Sequence, residues 1–103
     1  MRTKPPTTRT GKTTKYKIGT CSIYVTVNGN PPIEVFCKAE NGWQGWADVL
    51  AELASIALQS GTDPALLVRH LRHHRMEPEG GPGQPASIPD AIGRAIEAAK
   101  NGG

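Results

Sequence analysis

The chain has 103 residues, of which 37% are hydrophobic and 5% aromatic, and its formal net charge is +3. This length supports one domain. No apolar run approaches the roughly 20 residues that a membrane span needs, and the N-terminus lacks the apolar core of a signal peptide. With two cysteines and no such signal, the chain is expected to work in a reducing compartment, the cytoplasm, without a membrane partner.

The basic residues are concentrated near the N-terminus. Those that precede the first acidic residue are Arg2, Lys4, Arg9, Lys12, Lys15 and Lys17. Residues 1–14 consist mostly of Thr, Lys, Arg and Pro, a composition that predicts a disordered basic arm. Residues 15–100 then form the single domain. Such an arm is usually a solvated tail, although it can also contact phosphate groups without sequence specificity.

Three short segments alternate between apolar and polar residues, which predicts β-strands at 16–18, 22–27 and 33–38. Between the last two, Asn28-Gly29 is typical of a hairpin turn, because both positions of that turn require positive φ. Pro31 and Pro32 follow closely, so we expect a loop longer than two residues. This hairpin is the expected basis of a small antiparallel sheet.

Two cysteines, Cys21 and Cys37, flank the predicted hairpin almost symmetrically. Depending on the register, their side chains face each other across the strands or lie two positions apart. A redox pair is one interpretation. Two buried, reduced thiols are the other, and it is favoured because neither cysteine stands in a C-x-x-C motif or beside a histidine.

The segment 46–60 has the apolar spacing of an amphipathic helix. Its apolar face comprises Trp46, Val49, Leu50, Leu53, Ile56 and Ala57. We expect this face to lie in the core. Gly61 follows at the position where a helix commonly ends in the left-handed conformation.

Two further helices are predicted. Asp63 as N-cap and Pro64 in the first turn begin the second one, which is expected to end before Pro78. Its inward side is expected to consist of Leu66, Leu67 and Leu71. Residues 77–86 form a Gly/Pro-rich linker, and Ser87 is the expected N-cap of the third helix. The predicted fold class is α+β, with a small antiparallel sheet built on a β-hairpin and packed against two to three helices.

Three histidines are expected on the second helix. His70 and His74 have the i, i+4 spacing of paired metal ligands. However, Leu71 stands where the H-E-x-x-H metalloprotease motif has its glutamate, and the arginines interleaved with the histidines would repel a divalent cation. We therefore expect no metal, and either a basic face that takes an anion or a solvated face.

Two segments are candidate parts of a ligand site. Trp43 and Gln44 lie in a Gly-rich turn before the first helix, where free N–H groups can bind an anion and an indole can stack on a base. The alternative is that Trp43 only caps the core. Arg69, Arg72 and His73 offer positive charge. The sequence contains no carboxylate pair, no Ser/His/Asp arrangement and no P-loop motif, so we expect neither catalysis nor a cofactor.

Several strings along the chain match a known family in order and spacing. They are Tyr16-Lys17-Ile18, 23–28, 32–36, Leu58-Gln59-Ser60-Gly61, 68–71 and 87–92. Over residues 11–98 the chain thereby resembles the TSCPD domain. That domain stands at the C-terminus of adenosylcobalamin-dependent ribonucleotide reductases and also occurs alone, including in phage genomes.

The chain departs from the family pattern at two cysteine positions, which hold Met76 and Ile88. Any metal or thiol role of those cysteines is therefore not carried over. The reductase barrel is also missing, so the resemblance implies neither cobalamin binding nor ribonucleotide reduction by this chain.

The resemblance, the Gly-Trp loop at the start of the first helix and the Arg/His helix together lead us to expect a stand-alone, non-catalytic module that binds a nucleotide or cyclic nucleotide. A phage protein of this kind would act as a sponge for a nucleotide of host immune signalling, in the host cytoplasm, and we expect it to be a homo-oligomer. A protein-interaction module is the alternative, either a reductase accessory or an inhibitor of a host defence protein. Nucleic-acid binding through the basic arm is a third interpretation.

Overall fold

The computed structural model describes residues 11–101. Three strands form one antiparallel sheet in the order β1-β2-β3, with β1 at Gly11–Ile18, β2 at Cys21–Asn28 and β3 at Glu34–Ala39. Three helices follow, α1 at Gln44–Gln59, α2 at Pro64–Leu71 and α3 at Ile88–Lys100. The α+β prediction is confirmed. Between residues 11 and 101, no helix combines the length and the apolar character that crossing a membrane requires.

The sheet has one buried face and one open face. Ile23 and Val25 of β2 are completely buried, and they pair with Tyr16 and Thr14 of β1 and with Ala39 and Cys37 of β3. Because side chains alternate between the two faces of a strand, the residues between them point the other way. All three helices contribute buried residues to the core on the inner face, so the outer face is left to solvent.

The two hairpins have different connections. Gly19 and Thr20 alone link β1 to β2, and Gly19 has a φ of 61°. The loop from β2 to β3 is longer, as predicted from its prolines, and the Ile33 N–H donates to the Asn28 carbonyl at 2.9 Å. Gly29 has a φ of 96°, and a Cβ there would approach the Ile33 side chain to 2.8 Å. Glycine is therefore required on both counts.

The strand β1 begins earlier than the sequence indicates. Residues 11–14, which were expected in the disordered arm, pair with β2, and the Thr13 and Thr26 hydroxyls lie 2.7 Å apart. The boundary predicted after Thr14 is therefore wrong. The physical reason is that this half of an edge strand buries almost nothing, so it carries no apolar alternation. Residues 1–10 of the predicted arm lie outside the described residues.

The helix α1 buries its small side chains instead of its large ones. Ala47, Ala51 and Ala54 are buried against the sheet, whereas Trp46 is 44% exposed and Leu53 58% exposed. The prediction that the large apolar face lies in the core is wrong for these two residues and for Val49. Alanines allow the helix backbone to approach the sheet closely, which larger side chains would prevent.

Polar side chains on the inner side of α1 reinforce this arrangement. Gln44, Ser55 and Gln59 all bond to the backbone of β3 or of the residue before it. The Ser55 hydroxyl accepts from the Val35 N–H at 2.8 Å, and the Gln44 side chain accepts from the Ala39 N–H at 2.9 Å. These bonds satisfy backbone groups at the free edge of β3, which would otherwise be open to pairing.

The helices α2 and α3 begin where their capping residues predict. The Asp63 side chain accepts from the Ala65 N–H at 2.9 Å. The Ser87 hydroxyl accepts from the Asp90 N–H at 3.3 Å, in the first turn of α3. Within α2, Leu71 is buried and Leu67 partly buried, but Leu66 is exposed, so its predicted inward position is wrong. The 77–86 segment contains no helix or strand.

Candidate functional site

A buried carboxylate organises the junction between α2 and α3. The Asp90 side chain is 2% exposed, and it accepts hydrogen bonds from Arg72 Nε and from the His73 N–H, both at 2.9 Å. The Ala86 N–H donates to its other oxygen at 2.8 Å, and Arg94 Nε lies 3.5 Å from that oxygen. These contacts fix the chain that leaves α2 against the start of α3.

The surroundings of Asp90 keep its carboxylate charged. Burial by itself raises the pKa of this group, but the N–H groups of His73 and Ala86 and the Arg72 guanidinium outweigh that effect. The pKa of Asp90 is consequently lowered from 3.8 to about 2. The carboxylate is therefore a permanent partner for the positive charges around it at neutral pH.

Arg72 is held on two sides by carboxylates of α3. Besides its bond to Asp90, its Nη1 donates to Glu97 at 2.8 Å. A phosphate that binds Arg72 has to compete with both acceptors. Arg72 is one of the predicted ligand-binding residues. In the structure its guanidinium links α2 to α3 through Asp90 and Glu97.

The chain leaves the helical path before the second and third histidines, His73 and His74. Helix α2 ends at Leu71. The expectation that three histidines share one helix is therefore wrong, since only His70 lies in α2. His73 has a φ of 70°, and its N–H points to Asp90, which explains why the helix cannot continue. The His74 ring nitrogen Nε2 lies 2.7 Å from the His70 carbonyl oxygen, so the pair does not present two free ring nitrogens on a helix face.

A pocket of about 260 Å³ opens beside this junction. It is lined by Ala65, Val68, Arg69, Arg72, His73, Glu97 and Lys100. Glu97 is engaged by Arg72. By contrast, Arg69 and Lys100 are exposed and form no salt bridge with any residue between 11 and 101. The pocket therefore combines an apolar wall with two positive charges that are available to an anion.

The size and donors of this pocket suit a phosphate group. A guanidinium offers five N–H donors in a planar fork that matches phosphate oxygens. The volume is slightly smaller than the roughly 300–1,000 Å³ of typical small-molecule sites. A nucleotide bound by its phosphate would therefore extend out of the pocket.

The other two predicted ligand-binding residues, Trp43 and Gln44, lie apart from this pocket. Trp43 is the N-cap of α1, and its ring is half-buried against the core. The Gln44 side chain is bonded to the backbone of β3. Neither residue lines the α2–α3 pocket. Of the predicted set, the structure thus brings together only Arg69, Arg72 and His73.

The two cysteines are buried and free. The register pairs Cys21 with Ile18 and Cys37 with Val25, so neither predicted arrangement of the thiols is right. Burial raises the pKa of the Cys37 thiol to about 12, with smaller contributions from Asp48 and Cys21. The interpretation as buried thiols is confirmed, and the geometry gives a redox pair no support.

Metal-binding side chains do not gather in the part of the chain that the structure describes. Among residues 11–101, no three His, Cys, Asp or Glu side chains are arranged to hold a metal ion. At the two positions where the family pattern has cysteine, Met76 is exposed and Ile88 is completely buried.

The comparisons with known proteins agree with the strings found in the sequence. A family model described as the TSCPD domain matches residues 1–100. The chain belongs to the TSCPD domain family. It has no significant match among curated proteins or among solved structures. The resemblance stated from the strand, turn and helix strings is therefore confirmed over nearly the whole TSCPD chain.

Three residues of the α2–α3 junction and its pocket are not predicted from the sequence: Asp90, Glu97 and Lys100. A partial signal exists for Asp90, because an acidic residue in the first turn of a helix is favoured by the helix dipole. Nothing in the sequence indicates that its partner is Arg72, which lies 18 residues earlier. Lys100 follows Glu97 on α3 at a three-residue spacing, which is compatible with one common face.

Proposed function

We propose that this TSCPD domain is a non-catalytic module that binds a nucleotide-type ligand by its phosphate in the α2–α3 pocket. The observation that carries the proposal is that Arg69 and Lys100 converge on one pocket without carboxylate partners there. Phosphate oxygens are the natural acceptors for such donors. The family's place in ribonucleotide reductases supports a nucleotide as the molecule that carries the phosphate.

The structural role of Arg72 favours this site further. Because Asp90 and Glu97 hold the Arg72 guanidinium in place, one wall of the pocket is fixed before a ligand arrives. A preformed wall reduces the ordering cost of binding. The His73 ring is exposed at the same pocket and offers a ring N–H donor.

A phage-encoded copy would act in the host cytoplasm as a sponge for a cyclic nucleotide of immune signalling. A cyclic nucleotide with two phosphates exceeds one pocket, so a homo-oligomer that combines two pockets would bind it better.

The test is isothermal titration calorimetry of the full chain with nucleoside mono- and triphosphates and with cyclic dinucleotides. We expect saturable binding to at least one of them. The double substitution Arg69→Ala and Lys100→Ala should weaken it by about a hundredfold or more, because it removes two charge-assisted hydrogen bonds that are typically worth about 1.5–3 kcal/mol each.

Arg75→Ala is the matched control. Arg75 is also exposed but pairs with Glu79 outside the pocket, so its loss should leave the affinity unchanged. An absence of binding up to millimolar nucleotide would contradict the proposal. So would binding that is unaffected by the loss of Arg69 and Lys100.

A protein-interaction module is the second candidate function, and the outer side of α1 favours it. Trp46, Val49 and Leu53 are exposed and recur at a spacing of three and four residues. They therefore form an apolar stripe along α1 against which a partner helix could pack. The partner would be a second copy, a reductase or a host defence protein. Light scattering after gel filtration, on wild type and Leu53→Asp, separates self-association from a monomer.

A further inference from the structure

The outer face of the sheet carries two exposed aromatic rings. Phe36 of β3 is 52% exposed, and Tyr24 of β2 is 36% exposed. The three helices contribute to the core on the opposite face, and α1 approaches Phe36 only at the edge of β3, where the two line a common pocket. Neighbouring exposed aromatic rings form an apolar patch, and such patches often mark a binding surface.

Lysines flank these rings in a regular pattern. The register places Lys15 of β1 and Lys38 of β3 directly opposite Tyr24, one on each side. The Lys15 Nζ lies 5.8 Å from the centre of the Tyr24 ring. Phe36 is the diagonal neighbour of Tyr24, where Cα atoms are about 7–8 Å apart. Two rings and two positive charges therefore share one small area.

The positive charge of this face is concentrated around Tyr24, where Lys15 and Lys38 lie on either side. Lys17 adds a third ammonium group and donates to the Ser22 hydroxyl at 3.3 Å. Glu34 and Glu40 lie at the two ends of β3, and Asp48 and Glu52 of α1 line a pocket at the edge of β3 together with Phe36. Glu34 accepts from the Asn28 side-chain amide at 3.0 Å, and Glu40 accepts from the Ser22 N–H at 3.1 Å. Neither is directly opposite Tyr24 in the register.

We infer that this face binds single-stranded nucleic acid, with bases stacked on Tyr24 and Phe36 and phosphates bound by the flanking lysines. Proteins that bind single strands combine aromatic stacking platforms with a positively charged track in this way. A duplex keeps its bases stacked inside and cannot use the rings. Additional positive charge stands in the sequence immediately before β1, at Arg2, Lys4 and Arg9.

This site is separate from the nucleotide pocket. The pocket lies between α2 and α3, and none of its lining residues belongs to the sheet. A variant can therefore lose one activity and keep the other. The inference goes beyond the proposed function and stands or falls independently of it.

The experiment measures fluorescence anisotropy of a labelled 12-nucleotide single strand, in DNA and RNA forms, with the full chain at low salt. We expect saturable binding, with weaker binding of a 12-base-pair duplex. Phe36→Leu keeps an apolar side chain on the strand but removes the ring, so it should weaken binding by about fivefold or more. Tyr24→Phe should retain binding, because the stacking ring remains.

The salt dependence tests the lysines separately. Each of Lys15→Gln and Lys38→Gln should reduce the slope of log affinity against log salt by about 0.7 if its ammonium contacts a phosphate. Arg75→Gln is the matched control, since it removes an exposed charge elsewhere on the surface. Circular dichroism melts confirm that each variant is folded.

Three results would overturn the inference. One is no binding of either single strand at low salt and about 1 mM protein, which is about tenfold above the weakest dissociation constants of non-specific binding. Another is binding that disappears when residues 1–10 are deleted but is unaffected by Phe36→Leu, which would assign it to that segment alone. The third is equal binding of duplex and single strand, since a duplex offers charge without accessible base faces.

Discussion

The two sides of the α2–α3 junction use positive charge in different ways. On the inner side, which comprises Arg72, Asp90 and Glu97, the Arg72 guanidinium forms ion pairs with both carboxylates. On the pocket side, Arg69 and Lys100 meet no carboxylate among the described residues. Arg69 and Arg72 are separated by only three positions. What a basic residue does is therefore decided by the carboxylates that a distant element brings to it.

The largest expected effect is on the inner side. Asp90→Ala leaves Arg72 and two backbone N–H groups without their buried acceptor. We expect a loss of about 3–5 kcal/mol in the free energy of unfolding, the usual result of breaking a buried ion pair from one side. Chemical denaturation of both proteins measures it.

Glu79→Ala is the control for that experiment. It removes the partner of Arg75 in an exposed ion pair at 3.5 Å, and such pairs contribute about 0–1 kcal/mol. If Asp90→Ala and Glu79→Ala lower the free energy of unfolding by the same small amount, the Asp90 contacts do not stabilise the α2–α3 junction.

The next largest effect is the difference in stability between variants of the two tryptophans, of which one packs against the core and the other does not. The Trp43 ring is half-buried against the core, whereas Trp46 is exposed. Trp43→Ala should destabilise the protein by about 2–3 kcal/mol, somewhat less than a completely buried ring. Trp46→Ala should change stability by at most about 0.5 kcal/mol. Thermal melts of the two variants distinguish them, and the reverse order would contradict the packing of α1.

A smaller effect is the dependence of stability on pH, which tests the contribution of the Asp90 charge without removing its side chain. The pKa of Asp90 falls from 3.8 to about 2 on folding. Its contribution to stability is therefore complete above the unfolded pKa and is lost as the pH falls through the folded one. The loss amounts to about 2 kcal/mol.

Denaturation of wild type and Asp90→Asn, from about pH 5 down to about pH 2, isolates this contribution. The wild type should approach the stability of Asp90→Asn as the carboxylate becomes protonated. A gap between the two proteins that stays constant over this range would show that Asp90 does not titrate as described.

The elements of the fold were largely predictable because their signals are local. The Asp63 and Ser87 caps mark the starts of α2 and α3, and the Asn28-Gly29 turn with its prolines predicts the longer hairpin loop. Alternation also predicts the cores of β2 and β3. These features depend on neighbours within a few residues of sequence, so no knowledge of the tertiary structure is needed.

The packing of α1 and the pocket could not be predicted in the same way. Apolar periodicity selects the side with Trp46 and Leu53, but the sheet accepts the alanine side, because close approach and hydrogen bonds to β3 outweigh side-chain size. Likewise, no glycine or proline stands between Leu71 and Pro78, yet the helix ends at Leu71, where the distant Asp90 accepts the His73 N–H. Both outcomes depend on contacts that are far apart in the sequence.

The most direct test of the nucleotide site is a titration of the isotope-labelled chain followed by amide chemical shifts. The titrant is the nucleotide that binds best by calorimetry. We predict that the largest shifts fall on the residues of the α2–α3 pocket, above all Arg69, His73 and Lys100, and that they are absent in the Arg69→Ala, Lys100→Ala double variant. Largest shifts around Trp43 at the start of α1, or on the outer sheet face around Tyr24, would contradict the assignment of the phosphate to this pocket.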